Sequence, residues 1–113
     1  MDIKEKTEKI FPEVDFKTGN IIHNAFENSI FESENLEHIN LSNNLFKVEY
    51  GNNYSLSIGW YDEIRMFIIH VYQYHKSEYV RSFPMEKRLC RNIVSLKSNL
   101  QECITNIEIY KFR

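Results

Sequence analysis

The fold is decided by the stretch LFKVEYGNNYSLSIGWYDEIRMFIIHVYQY, residues 45–74. Apolar and polar residues alternate over 45–50 and again over 54–61, which is the two-residue period of a strand with one buried face. The residues between them, Gly-Asn-Asn at 51–53, tolerate positive φ and therefore suit a tight turn. This half of the stretch predicts a β-hairpin.

The second half extends the hairpin into an antiparallel meander. Asp62 and Glu63 supply a second turn, and residues 65–74 form an almost continuous apolar and aromatic run. A strand that is apolar on both faces belongs in the interior of a sheet. The 65–74 segment is therefore expected to be central, with the sheet covered on both sides at that point.

After the meander, the sequence predicts an amphipathic helix over about 85–106. Pro84 is tolerated in the first turn of a helix, and the apolar residues that follow step by three and four. Those residues are Leu89, Ile93, Leu96, Leu100, Cys103, Ile104 and Ile107. Residues 76–83 could add an edge strand, and the alternation over 107–112 could end the chain as a strand.

The N-terminal part is expected to be helical. Residues 2–10 are charged helix formers limited by Pro12, which predicts a short helix or a frayed arm. Over 20–38 the spacing favours a helix, with a strand around 29–32 as the alternative. The helical spacing is that of Ile22, Ala25, Phe26, Ser29 and Ile30. The Asn-rich segment 35–44 is expected to be a connector.

These segments predict a single α+β domain over residues 1–113, which is the usual size of one domain. With 42% hydrophobic and 14% aromatic residues, the chain can build a core without metal or disulfides. Cys90 and Cys103 are expected to be buried free thiols, since on one helix they would lie roughly 20 Å apart. No signal-like or membrane-spanning apolar segment occurs, so we expect a cytoplasmic protein.

The net charge of −2 conceals an asymmetry along the chain. Residues 1–50 carry −5, whereas residues 51–113 carry +3. The densest acidic segment, 24–38, has no Lys or Arg and holds Glu27, Glu32, Glu34 and Glu37. Such a segment could face a basic partner or be a solvated surface. The overall balance speaks against direct nucleic-acid binding, which needs a basic patch.

No motif for catalysis, cofactor binding or metal binding is recognisable. His70 and His75 are an odd number of residues apart and so lie on opposite faces of one strand. Cys90 is interpreted as a packing residue, although nearby arginines could in principle activate its thiol. We therefore expect no enzyme, no cofactor and no metal, while a small His-dependent hydrolase remains an alternative.

Aromatic residues are concentrated in and near the predicted sheet: Trp60, Tyr61, Tyr72, Tyr74 and Tyr79. Part of this set should be core, and the rest could form a binding hot spot, because Tyr and Trp give large contact area with few rotors. Stacking on nucleic-acid bases is the alternative, but few of the basic residues that this mode requires flank these aromatic residues.

The segment FKVEYGNNYSLSIGWYDE at 46–63, followed by FIIHV at 67–71, resembles small immunity proteins of bacterial contact-dependent growth inhibition and related polymorphic toxin systems. Several of these have a strand ending in Gly-Trp or a similar pair, a short acidic turn, an apolar strand and a C-terminal helix. The resemblance covers about residues 44–107.

The resemblance implies a cytoplasmic antitoxin that occludes the toxic C-terminal domain, often a nuclease, of a cognate effector. Nuclease sites are basic because they hold phosphate, so an inhibitor gains by presenting carboxylates. On charge and exposure, the predicted partner-binding residues are Glu27, Glu32, Glu34, Glu37, Asp62 and Glu63. The expected partner is a protein, with no membrane and no metal; another interaction or regulatory module is the alternative function.

Overall fold

The computed structural model of the chain describes residues 2–26, 44–73 and 85–111. These residues form two helices and a five-stranded antiparallel sheet whose strands follow one another in sequence order. The strands are β1 (Asn20–Asn24), β2 (Phe46–Glu49), β3 (Tyr54–Tyr61), β4 (Met66–Gln73) and β5 (Glu86–Cys90), and the helices are α1 (Ile3–Ile10) and α2 (Ile93–Tyr110). The predicted α+β class is confirmed.

The predicted meander is confirmed as β2, β3 and β4. In its first turn Asn52 and Asn53 both have positive φ, 59° and 66°, which is the backbone of the two-residue hairpin turn that matches strand twist. The backbone N–H of Tyr50 donates to the Tyr54 carbonyl at 2.8 Å and closes the hairpin. The Gly-Asn-Asn signal was therefore sufficient to place this turn.

The third strand of the meander, β4, is interior, because it pairs with β3 on one side and β5 on the other. On the face towards α2, Phe67, Ile69 and Val71 are fully buried. On the opposite face His70 and Tyr72 are only half-buried. The expected cover on both sides is thus complete on one face and partial on the other.

The short N-terminal helix is confirmed as α1. Asp2 caps it by accepting from the Glu5 backbone N–H at 2.8 Å, and the helix ends at Ile10, with Phe11 as its C-cap just before Pro12. The Lys6 ammonium donates to the Asn24 carbonyl at 2.8 Å, which ties α1 to the end of β1.

The helix predicted over 20–38 is wrong for its first residues, which form β1. This strand pairs with β2, and its register shifts between Ile21 and His23, so that Ile22 is the extra residue of a bulge. A bulge interrupts the two-residue alternation, which explains why the apolar spacing looked helical. Ala25 and Phe26, which follow β1, are not helical either. The remainder of that prediction from residue 27 onwards, the 29–32 alternative and nearly all of the 35–44 connector lie outside the described residues.

The helix predicted over 85–106 is wrong at both ends. Glu86–Cys90 is strand β5, and α2 begins only after Asn92, whose side chain accepts from the Ser95 backbone N–H at 2.8 Å. The helix then runs to Tyr110, so the strand expected over 107–112 does not form in its described part. Residues 76–83 lie outside the described residues.

A side-chain network fixes β5 against α2. The Arg88 guanidinium donates to Glu102 at 2.8 Å and to Asn99 at 3.1 Å on the helix, and to Glu86 on its own strand at 3.0 Å. Glu86 also accepts from Asn106 at 2.7 Å. The face of β5 that carries Glu86 and Arg88 is therefore the face that meets α2.

The core lies between the sheet and the two helices. α2 contributes Leu96, Leu100, Cys103, Ile104 and Ile107, all buried. At the other end of the sheet, Phe11 packs edge-on against Phe26 and Phe46, with ring centroids 5.4 Å and 5.5 Å apart. Neither helix is long and apolar enough to cross a membrane.

Candidate functional site

The turn between β3 and β4 projects from the end of the sheet as a compact tip, residues 62–65. The Ile64 backbone N–H donates to the Tyr61 carbonyl and that of Arg65 to the Asp62 carbonyl, both at 3.3 Å. Arg65 has φ of 55°, a left-handed conformation that a non-glycine residue adopts only where the surrounding structure holds it. The tip is therefore a defined turn.

Asp62 braces this tip from within. Its Oδ1 accepts from the Arg65 guanidinium at 2.6 Å and from the Trp60 indole N–H at 3.4 Å. The Arg65 guanidinium also lies 5.4 Å from the Trp60 ring centroid, within range of a cation–π contact. Because the Arg65 guanidinium offsets its negative charge, the Asp62 carboxylate stabilises the turn in addition to any contact that it makes with a partner.

Glu63 and Ile64 occupy the apex of the tip. Both are exposed, and Ile64 presents 45% of its surface to solvent. Within the part of the chain that the structure describes, Glu63 forms no ion pair, because the basic side chain of the turn is engaged by Asp62. The apex thus combines an uncompensated carboxylate with an accessible aliphatic side chain.

The tip adjoins the outer face, by which we mean the face of β3 and β4 turned away from α2. Its residues are Ser55, Ser57, Gly59 and Tyr61 on β3 and Met66, Ile68, His70 and Tyr72 on β4. The small residues of β3 stand opposite large residues of β4, with Ser57 paired to His70 and Ser55 to Tyr72. The rings of His70 and Tyr72 lie 5.6 Å apart.

Tyr61 completes an aromatic layer over this face. It is paired with Met66, which lies four residues, or about 13 Å, along β4 from His70. Nevertheless, the ring centroids of Tyr61 and His70 are only 6.4 Å apart. The Tyr61 ring therefore extends along the sheet and covers Gly59, which is buried. The layer is half-exposed and begins directly behind the tip.

His70 is the histidine at the centre of this layer. Partial burial, reinforced by the charge of Lys87, lowers the pKa of the imidazole. Lys87 stands directly opposite His70 in the pairing of β4 with β5. At neutral pH His70 is accordingly a neutral ring between two tyrosines. His75, which was predicted to lie on the opposite face of the same strand, is outside the described residues.

A concave region lies between α1 and the segment leading into β1. It is a cleft of about 550 Å³ whose floor includes Thr7, Phe11, Phe16 and Ile21. Lys4, Glu8, Asp15 and Lys17 also line it. Asp15 and Lys17 pair at 3.1 Å, and hydrogen bonds from the Lys17 backbone and side chain lower the pKa of Asp15. The mixed and partly compensated charges give this cleft no preference for an anionic or a cationic partner.

Of the predicted partner-binding residues, Asp62 and Glu63 lie together on the tip, whereas Glu27, Glu32, Glu34 and Glu37 lie outside the described residues. Trp60 is 1% exposed and belongs to the core, and Tyr61 and Tyr72 are on the surface. Tyr74 and Tyr79 fall outside the described residues. The charge-based prediction missed Ile64 and the brace from Arg65, although the spacing Asp62–Arg65 was a readable signal.

The cysteines are both buried and free, as predicted, but they lie on different elements, Cys90 on β5 and Cys103 on α2. Burial raises the pKa of Cys90 and raises that of Cys103 to about 12. For Cys90 the opposing influence of Arg88 is smaller than that of burial, so neither thiol has thiolate character at neutral pH. Among the described residues, no three His, Cys, Asp or Glu side chains come together as a metal site.

Comparisons with family models, with curated proteins and with solved structures find no match to this chain.

Proposed function

We propose that this protein is a bacterial immunity protein, cytoplasmic and not an enzyme, that binds the toxic C-terminal domain of a cognate effector and neutralises it by stoichiometric occlusion. The observation that carries the proposal is the tip, where Glu63 and Ile64 stand exposed on a braced turn. The resemblance of residues 44–107 to immunity proteins of contact-dependent growth inhibition systems supports the same function.

Charge complementarity favours a nuclease as the toxin. An active site that holds phosphate is basic, and a carboxylate presented to it gains attraction and steers the encounter. Glu63 is available for this contact, while the exposed aliphatic Ile64 beside it supplies apolar area. An anion and an apolar side chain on one projection suit insertion into a basic cleft.

The brace beneath the apex favours tight binding. A loop that must be ordered on association loses part of the interaction free energy, whereas a preorganised loop does not. Asp62 is held by the Arg65 guanidinium at 2.6 Å, and the tip stands over the fully buried Trp60. The side chains at the apex are thus presented from a fixed support.

A second candidate function, a small interaction or regulatory module, is favoured by the aromatic layer of the outer face. Tyr61 and Tyr72 are half-exposed there, and Leu89 on β5 presents 51% of its surface on the same face. Tyrosine-rich surfaces of this kind contribute strongly to protein interfaces. Such a module would bind through the outer face and would not need the charge of the tip.

The deciding experiment is co-expression with the C-terminal domain of the effector encoded beside this protein. We expect a one-to-one complex that co-purifies and that protects cells from the domain. Glu63→Lys should weaken the complex by tenfold or more, about 1.4 kcal/mol, and the loss should shrink at high salt. Ile64→Ala, which removes apolar area without changing the charge, should weaken it by an amount that does not depend on salt.

Glu8→Lys is the matched control, since Glu8 is an exposed acid on α1 and the change in net charge is identical. It should leave the complex unaffected. If no complex forms and no protection is seen, the immunity function is refuted. If binding persists but Glu63→Lys and Glu8→Lys behave alike, the tip is not the contact and the outer face becomes the candidate.

A further inference from the structure

The two edges of the sheet differ in their regularity. Because the strands lie in sequence order, the edge strands are β1 and β5. The β1 edge is interrupted by the bulge at Ile22, and the Lys6 ammonium occupies the Asn24 carbonyl at its end. By contrast, β5 pairs with β4 in one unbroken register over its whole length. The β5 edge is therefore the regular one.

The outer side of β5 offers backbone hydrogen-bonding groups. In an antiparallel pair, alternate residues turn their N–H and C=O groups towards the neighbouring strand, and the residues between them turn these groups the other way. Within the part of the chain that the structure describes, no strand lies on that other side of β5. An extended segment can add to such an edge as a further strand.

Exposed side chains recur at every second residue along this edge. Lys87 and Leu89 lie on the outer face, opposite His70 and Ile68 of β4, and both are exposed. Met85 and Arg91, which flank β5, are exposed as well. Leu89 presents 51% of its surface and Met85 46%. An added strand would meet this row of side chains on the outer face.

The row carries uncompensated positive charge. Neither Lys87 nor Arg91 forms an ion pair with a described residue, whereas Glu86 and Arg88 on the other face of β5 are paired with each other. Carboxylates opposite Lys87 and Arg91 would form favourable cross-strand pairs, and an apolar side chain opposite Leu89 would cover its exposed surface. The edge therefore favours an incoming strand that is acidic and apolar in alternation.

A second copy of this chain does not meet that requirement. The antiparallel register that would bring two Leu89 side chains together would place Lys87 opposite Arg91. Like charges directly opposite each other destabilise a pair of strands, and lysine on an edge strand discourages self-association for this reason. The suitable occupant is a different protein.

We propose that the β5 edge binds an extended segment of a partner protein, of the pattern acid–x–apolar–x–acid, as a sixth strand of the sheet. The two carboxylates would lie opposite Lys87 and Arg91, and the apolar side chain opposite Leu89. The pattern reads the same in both directions, so it fits a parallel or an antiparallel strand. Backbone hydrogen bonds supply affinity in this mode and alternate side chains supply specificity.

The test is a titration of the ¹⁵N-labelled protein with the peptide acetyl-Thr-Glu-Thr-Val-Thr-Glu-Thr-amide, followed by amide chemical shifts and hydrogen exchange. We expect saturable shifts at residues 85–91 and slower exchange at alternate amides of β5. The same peptide methylated on every backbone nitrogen keeps its charges but cannot pair as a strand, so it should not bind. A peptide with lysine in place of both glutamates should not bind either.

Charge reversal on β5 gives a second readout. Lys87→Glu should weaken binding of the glutamate peptide about fivefold, because an attractive cross-strand pair becomes repulsive. Lys9→Glu, an exposed position on α1 with the same change in net charge, should leave binding unchanged. Lys87→Glu combined with Arg91→Glu should abolish binding of the glutamate peptide and allow the lysine peptide to bind, a gain that misfolding could not produce.

Several results would overturn the proposal: no saturable shift, equal binding of the methylated peptide, equal effects of Lys87→Glu and Lys9→Glu, or no binding of the lysine peptide to the double variant. Concentration-dependent shifts at 85–91 without peptide would overturn it too, because a second copy would then occupy the edge. The inference does not rest on the proposed immunity function. No toxin enters the experiment, so its failure would leave that function standing.

Discussion

Alanine substitutions at Leu89 and Leu96 distinguish the observed structure from the single long helix that the periodicity of the sequence predicts. The periodicity places both on one buried stripe, so it predicts similar losses for Leu89→Ala and Leu96→Ala. In the structure Leu96 is 0% exposed on α2, whereas Leu89 is 51% exposed on β5. Deleting a buried leucine side chain removes its transfer free energy and leaves a cavity, a loss of about 2–5 kcal/mol.

The expected losses differ by about a factor of three. For Leu96→Ala we take about 3 kcal/mol, which at an m-value of about 1.5 kcal/mol/M lowers the urea midpoint by about 2 M. For Leu89→Ala only about half of a transfer free energy of about 2 kcal/mol is lost and no cavity forms, so the loss is about 1 kcal/mol. The midpoint should then fall by about 0.7 M.

Urea unfolding can be followed by the fluorescence of Trp60, the single tryptophan, which is 1% exposed in the folded protein. The m-values of both variants should match that of the parent, showing that only stability has changed. Equal losses for the two leucines would refute the assignment of β5 and restore a helix that begins near residue 85.

Three further predictions concern packing, thiols and pH. Gly19→Ala should destabilise the protein by about 1–3 kcal/mol in the same urea assay, because the new methyl would lie 2.6 Å from the Tyr50 ring, which a hydrogen bond to a backbone carbonyl holds in place. Cys90 and Cys103 should be unreactive towards Ellman's reagent in the native protein and both reactive in denaturant; rapid native labelling of either would contradict their burial. The lowered pKa of His70 means that the unfolded chain binds the proton more readily, so stability should fall as the pH drops below about 6.5. His70→Gln should show a smaller fall over that interval in melting temperature against pH, and an identical slope would contradict the assigned pKa direction.

The meander could be predicted because its signals are local. Alternation in β2 and β3 and the Gly-Asn-Asn turn each depend on neighbouring residues, and they agree with one another. The interior position of β4 followed from its apolar run. Only the extent of cover on its outer face required the tertiary structure.

The two wrong boundaries have a common physical cause. Glu86–Cys90 and Asn20–Asn24 are short strands whose stability comes from pairing with a neighbour, β4 and β2 respectively. Such pairing is a long-range property that no window of sequence contains. In β5, Leu89 has a helix-compatible spacing to the apolar stripe of α2 by coincidence, and Asn92, a good N-cap residue, was the local signal of the true start.

At the tip, the charges read from the sequence do not show which acidic residue is available to a partner. Asp62 and Glu63 are adjacent acidic residues that count equally in a sum of charges. However, the Asp62 carboxylate is held by Arg65 and Trp60, whereas Glu63 lies at the apex without an ion pair to a described residue. Neutralising Asp62 would therefore loosen the turn as well as remove charge, and a loss of binding would not identify a contact. Glu63, whose replacement leaves the brace intact, can report on the partner alone, and for that reason it is the position on which the proposed function is best tested.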